Sequence, residues 1–190
     1  MKLLQDRIAK EGKVLPGNIV KVDGFLNHRV DTSLLRALAK EFKAHFSDKT
    51  VDLIVTCEAS GIAIATIAAE EFGVPMLFIK KAKSGNLGSE VYTSEIQSYT
   101  YNKSVTLTCS KSWLHKGDRV LVIDDFMARG EAMRGVIDII RQAGAELVGV
   151  GIAVEKGFQG GGDKLRASGI DCYSLAIIEE ANENEIRFRE

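Results

Sequence analysis

Short apolar runs alternate along this chain with longer segments whose apolar residues recur every three or four positions. Near the start, Leu3, Leu4 and Ile8 share one helical face that stops at Gly12. A second helix is predicted over residues 31–46, where Leu34, Leu35, Leu38, Phe42 and Phe46 keep helical spacing and Asp31, Thr32 and Ser33 offer N-cap oxygens. DLIVT (52–56) is a continuous apolar run of the kind buried on both faces of a parallel sheet. It is followed by CEASG and a small-residue helix, IAIATIAAEEF, that stops at Gly73. The strand PMLFI (75–79), the polar stretch KKAKSGNLGSE and two strand-like segments, VYTSEIQSYTY and SVTLTC, come next. RVLVID (119–124) is the most apolar strand and leads to the helix EAMRGVIDIIRQAG, which stops at Gly144. ELVGVGIAVEK (146–156), the short helix DKLRASG and CYSLAII (172–178) complete the series.

Buried strands separated by helices of this length predict an α/β fold, a doubly wound parallel sheet. No internal repeat or linker divides the chain, so a single domain over 1–190 is expected. In such a sheet, ligand binds among the loops that follow the carboxyl ends of the strands. Four loops qualify: CEASG, KKAKSGNLGSE, DDFMARGEA and EKGFQGGG, all of them charged and three of them rich in glycine or small residues.

Composition narrows the field of partners. A net charge of −1, with 27% charged and 45% hydrophobic residues, gives no electrostatic footprint for nucleic acid or an anionic membrane. The N-terminal residues lack the apolar core of a secretory signal, and no run is long enough to span a bilayer, so a cytoplasmic location is expected. Cys57, Cys109 and Cys172 are odd in number and lack CxxC spacing, as suits reduced, buried thiols. His28, His45 and His115 have no metal-ligand spacing.

The chemistry concentrates in VLVIDDFMARGEAM (120–133), where an apolar strand runs into Asp124 and Asp125. Two neighbouring carboxyl groups repel and resist burial, so hydroxyls, a metal or water must offset that cost. Gly130 precedes a helix whose first N–H groups and positive dipole end suit a phosphate, with Arg129 adding charge, while the aspartates can accept from sugar hydroxyls. The arrangement describes a ribose-5-phosphate site. Spacing alone equally allows an acidic turn that caps the following helix.

The same stretch resembles the phosphoribosyl-diphosphate (PRPP) binding motif of the type I phosphoribosyltransferases: four apolar residues, two acids, two apolar residues and a small-residue loop. The resemblance extends over nearly the whole chain, with CEASG in place of the diphosphate loop and KKAKSG opening a flexible loop over the active site. It implies a small hood segment within residues 1–35 and a homodimer. It further implies Mg²⁺ bound mainly through PRPP and diphosphate. Asp124, Asp125 and Lys81 would carry catalysis; Lys80 and Lys83 could join Lys81 against the diphosphate, or all three could form a solvated basic turn. Ala128, Arg129, Gly130, Glu131 and Ala132 would hold the 5-phosphate, and Ala59, Ser60 and Gly61 the diphosphate. Ser98 and Tyr99 would close the hood. One departure stands out: many members have Ala-Thr-Gly-Gly-Thr where this chain has Ala128-Arg129-Gly130-Glu131-Ala132.

The base can be narrowed residue by residue. Ala128 stands where hypoxanthine-guanine enzymes carry an aspartate. Lys156 is a donor without acceptor capacity, which suits a carbonyl at C6 of an oxopurine rather than the amino group of adenine. Phe158 is placed to stack on a flat base. LPGNIVKVDGFLNHRVD (15–31) resembles the opening of the xanthine-using bacterial branch, in which Val20 and Asn27 take base-contacting positions. An amide such as Asn27 can serve the C2 carbonyl and a ring N–H of xanthine. Asn27 as a turn residue, Val20 as core packing and Lys156 as a solvated lysine are the plainer alternatives. The implied reaction transfers the phosphoribosyl group to N9 of xanthine, giving XMP and diphosphate in purine salvage. Another purine, or a PRPP-sensing regulator on the same fold, are the competing readings; the regulator is disfavoured by the absence of a spare segment and of net positive charge.

Overall fold

The computed structural model describes residues 1–81, 90–98, 103–182 and 185–190. Lys83, Tyr99 and most of the expected flexible loop lie outside the described residues, as does the side chain of Ser98. The first helix, α1 (Lys2–Glu11), turns Leu4 and Ile8 inward and ends at Gly12. A small hairpin that periodicity did not reveal follows, β1 (Lys13–Leu15) against β2 (Ile19–Lys21). Gly17 and Asn18 at its tip both take positive φ, the conformation tight hairpin turns require. Helix α2 (Thr32–His45) begins where its cap predicts: the Asp31 carboxylate accepts from the Leu34 N–H at 3.1 Å.

The central sheet has six strands in the order β10-β9-β8-β7-β3-β4. These are β3 (Leu53–Cys57), β4 (Met76–Ile79), β7 (Arg119–Met127), β8 (Glu146–Lys156), β9 (Cys172–Ala181) and β10 (Ile186–Phe188). All pairs are parallel except β9 with β10, so the sheet is mixed and mostly parallel rather than wholly parallel. The three-residue β10 carries no apolar run and pairs only along the edge, where periodicity is weakest.

Helix α3 (Gly61–Phe72) and helix α4 (Glu131–Ala143) cover opposite faces. On one side Leu4, Ile8, Leu35, Phe42 and Ile64 pack with Leu121 and Ile123; on the other Val136 and Ile140 pack with Val120, Val122, Ile96 and Leu107. Ile96 and Leu107 belong to an antiparallel hairpin, β5 (Val91–Ser98) with β6 (Lys103–Ser110), laid on α4. Strand order reverses between β3 and β7: the chain leaves β3 outward to β4, returns to β7, and then proceeds to β8 and β9. With their following helices on opposite faces, the loops after β3 and β7 diverge and leave the crevice in which ligands bind.

Phe42 is fully buried and meets Tyr173 edge-on at 6.4 Å between ring centroids. Phe42→Ala should lower the unfolding free energy by about 3–5 kcal/mol in urea titration. A loss below about 1 kcal/mol would contradict the packing described.

Candidate active site

The acidic pair lies deeper than the sequence suggests. The apolar run implies that β7 ends at Asp124, yet the strand continues through Asp125 to Met127, paired with β8 as far as Met127 opposite Glu155. Pairing continues because backbone hydrogen bonds do not depend on side-chain polarity. Both aspartates are buried, at 9% and 4% exposure. Thr56 of β3 donates to Asp124 Oδ1 at 3.4 Å, and the Asp125 N–H donates to the same oxygen at 2.9 Å. Asp125 accepts from Ser60 Oγ at 3.0 Å and from Asn27 Nδ2 at 2.8 Å. Burial first, and then the neighbouring Asp125 charge, push the Asp124 carboxyl well above the usual range. The pair caps no helix: Gly130, with φ 87°, is the N-cap residue of α4, and no side chain caps the helix. Its first N–H groups therefore lack both a side-chain cap and intrahelical partners.

Close backbone approach assembles the loops. A Cβ on Gly61 would stand 2.1 Å from Asp124 Oδ1 and 2.2 Å from Thr56 Oγ1, so only glycine lets α3 begin against the acids. The Glu58–Ala59 peptide beside it is cis. Glu58 Oε1 accepts from the Lys81 N–H at 2.6 Å, joining the loop after β3 to the one after β4. The glycine loop after β8 is pressed on the loop after β7: the Gly161 N–H donates to the Ala128 carbonyl at 3.1 Å, and a Cβ on Gly161 would come within 2.3 Å of that oxygen.

Beneath Gly162 lies Glu155, fully buried and held by Arg166 in a two-point pair at 2.6 and 3.0 Å and by Ser174 at 2.5 Å. Arg166 also reaches Asp163 at 2.8 Å, and Arg189 near the C-terminus holds Asp163 at 2.8 and 3.0 Å. Composition and spacing hide this network, because only the fold brings Glu155, Arg166 and Arg189 together.

The predicted residues fall into two groups. Asp125 holds Ser60 and Asn27, Asp124 lies against Gly61, and Ala128 to Gly130 lead from β7 into α4, whose first residues are Glu131 and Ala132. Val20, on β2 of the hairpin opposite Val14, is 7% exposed with its side chain in the core, so its side chain offers little to a ligand. Glu131 is paired with Arg134 at 3.4 Å, which holds its charge beside the helix start. Lys156 is half-buried at the end of β8, burial lowers its pKa, and its ammonium lies 5.7 Å from the centroid of the Phe126 ring. Phe158 sits in the turn Gly157–Gln159 with 38% exposure. Phe126 was missed as a candidate; its position directly after the acid pair was the available signal. The cysteines are buried, and burial raises the Cys57 thiol to about 12 and the other two to about 11, so none is a nucleophile at neutral pH. Among the described residues, no group of three or more His, Cys, Asp or Glu side chains is placed to hold a metal.

A family model described as "Phosphoribosyl transferase domain" matches residues 26–185. A protein from Alkaliphilus metalliredigens named xanthine phosphoribosyltransferase is 49% identical over 190 residues, covering 100% of this chain and 94% of its own length. One of the same name from Bifidobacterium adolescentis is 50% identical over 192 residues, with both chains fully covered. Among solved structures, the adenine phosphoribosyltransferase of Giardia lamblia bound to 9-deazaadenine superposes with a TM-score of 0.79 at 25% identity, over 94% of this chain and 98% of that one. The Saccharomyces cerevisiae adenine enzyme gives 0.74 at 21% identity, over 92% and 99%.

A carboxyl with a raised folded pKa contributes stability below its unfolded pKa and loses it as pH rises through the folded value. Asp124→Asn removes that loss. Urea titrations should show the variant gaining on the wild type between about pH 4 and neutrality, and a difference that does not change with pH would contradict the burial of a repelled acid.

Proposed function

The chain belongs to the phosphoribosyltransferase family, and on that premise we propose that it transfers the 5-phosphoribosyl group of PRPP to N9 of xanthine. The products are XMP and diphosphate, and the reaction serves purine salvage. The observation that carries the reading is the buried Asp124-Asp125 pair at the sheet's switch point, beside an uncapped helix start. The choice of base is supported by relatives about half identical over the full chain. The adenine-named structures share the fold at much lower identity, and Lys156, a donor, suits a carbonyl.

In this reading the N–H groups at the start of α4 and the side chain of Arg129 receive the 5-phosphate, while Asp124 and Asp125 accept from the ribose hydroxyls. Ala59, Ser60 and Gly61 line the diphosphate, with Lys81 neutralising it as it leaves. The ribosyl centre turns cationic as the diphosphate departs, and carboxyl groups already desolvated beside it stabilise that charge. Lys156 donates to the C6 carbonyl, Asn27 serves the C2 side, Phe126 or Phe158 stacks on the ring, and the hood segment within residues 1–35 excludes water.

Among the described residues the protein offers carboxyls but no closed cage, which fits Mg²⁺ carried in by PRPP and held mainly by its phosphates. Bound there, the ion supplies positive charge against the diphosphate. No helix among the described residues is long and apolar enough to cross a membrane, in keeping with action in the cytoplasm. A homodimer completes the proposal; exposed Phe78 and Trp113 border a hollow with Met76 and Leu77 at the β4 edge and give it a face.

Initial rates with PRPP, Mg²⁺ and each of xanthine, hypoxanthine, guanine and adenine test the activity. Xanthine should give the highest kcat/KM, and adenine as the best substrate would overturn the role of Lys156. Lys156→Met should reduce kcat/KM for xanthine on the order of a hundredfold while leaving the KM for PRPP within about threefold. Gly61→Ala, by displacing Asp124, should lower kcat with every base by a comparable factor, and a fully active variant would contradict the proposed approach of α3 to the acids.

A further inference from the structure

Phe158 is left 38% exposed on the turn Gly157–Gln159, and three glycines, Gly160 to Gly162, follow it. Glycine gives up much conformational entropy when fixed, so a ring on such a loop keeps one place only if the loop's ends are tied. A single guanidinium ties them. Arg189 donates through Nη1 and Nη2 to the two oxygens of Asp163 at 2.8 and 3.0 Å. Asp163 lies in the first turn of a short helix, α5 (Gly161–Ala167), which the loop enters. The Nε of Arg189 donates to Glu179 on β9, and its backbone N–H donates to the Ile177 carbonyl at 2.8 Å. Glu179 in turn lies against the other end of the loop, since a Cβ on Gly157 would stand 3.2 Å from Glu179 Oε1. Arg166 completes the hold, reaching Asp163 at 2.8 Å while gripping the buried Glu155 next to Lys156.

We propose that Arg189 is a positioning residue for the purine: by joining Glu179 to Asp163 it ties the two ends of the loop 157–163 and holds Phe158 where it meets the base. In the phosphoribosyltransferase reading above, on which this rests, Phe158 faces the base and Arg189 lies behind it, out of contact with either substrate. The clasp is not a source of much stability. Its side chains are 34% and 48% exposed, and ion pairs in water add little. A planar fork bound on both sides nevertheless fixes direction, which a lone ammonium or an apolar stem does not. Hydrogen bonds from Arg189 and then Arg166 hold the Asp163 carboxyl well below the usual range, so the clasp keeps its charge at neutral pH.

A residue that orders the base side acts on the KM for the base more than on the chemical step. With the full chain, Mg²⁺ and saturating PRPP, kcat and KM are measured for xanthine, and a second series at fixed xanthine gives the KM for PRPP. Arg189→Met keeps the stem and removes the fork. It should raise the KM for xanthine at least about tenfold, the lower part of what a stacked ring contributes to holding a base. Its kcat and its KM for PRPP should stay within about threefold. Arg187→Met is the matched control, because Arg187 on β10 pairs with Glu180 on β9 and its loss weakens the same sheet edge. That variant should keep the KM for xanthine within about twofold. An unmoved KM in Arg189→Met overturns the proposal, as does an equal rise in Arg187→Met. Phe158→Ala should raise the KM by itself, and adding Arg189→Met to it should raise it by less than about threefold more, since residues that act through one another do not add. A full further rise overturns the route through the loop. Should Arg189→Met fail to fold, Asp163→Asn breaks the clasp from its other side with the same expected rise, and an unmoved KM there overturns the proposal. A wild type that does not use xanthine sinks the functional reading itself, whereas a xanthine-using wild type with an unmoved KM in Arg189→Met sinks only the clasp.

Discussion

Two carboxyl groups on adjacent residues of an interior strand repel each other, and each loses water on burial. Asp124 and Asp125 are held in that condition by three donors from two distant parts of the chain: Thr56 at the end of β3 with Ser60 at the start of α3, and Asn27 in the hood. The arrangement of the site follows from satisfying those acids. α3 must begin at a glycine to approach them, the hood must fold back over β7 to deliver Asn27, and the two strands flanking the switch point must lie side by side. Such a site is unfavourable in the empty protein and suited to a substrate that brings hydroxyls and positive charge.

A second set of charges secures the opposite wall. Glu155 is fully buried, and Arg166 and Ser174 satisfy it. Losing one partner of such a pair costs about 3–5 kcal/mol, because a charge is left buried alone. Its cover, Gly162, leaves no room for a side chain, and Gly161 is bonded to the phosphate-side loop. Asp163 carries the network on to Arg189, with Arg189 also paired to Glu179. The base side and the phosphate side are therefore braced by the same few residues.

Much of this was legible in the sequence because burial imposes periodicity. The runs at 52–56 and 146–156 and the cap at Asp31 mark elements that the structure contains. Legibility ended where polarity interrupts a buried strand: the aspartates concealed the continuation of β7 to Met127. Short edge pairings, β1 with β2 and β9 with β10, carry too few residues to set a period. In the site, the acid pair, Ser60 and Gly61 could be picked out locally. The bonds from Asn27 to Asp125 and from Arg166 to Glu155 could not, since tertiary structure makes them between residues far apart in sequence or, for Arg166 and Glu155, without a local motif.

The central claim is that the buried acids receive the ribose of PRPP. Calorimetric titration of PRPP with Mg²⁺, in the absence of any base, into the wild type and into an Asp124→Asn, Asp125→Asn double variant tests it most directly. The account predicts binding to the wild type and a loss of affinity of at least about a hundredfold, some 2.7 kcal/mol, in a variant that still unfolds cooperatively. Equal affinity in the two proteins would contradict it.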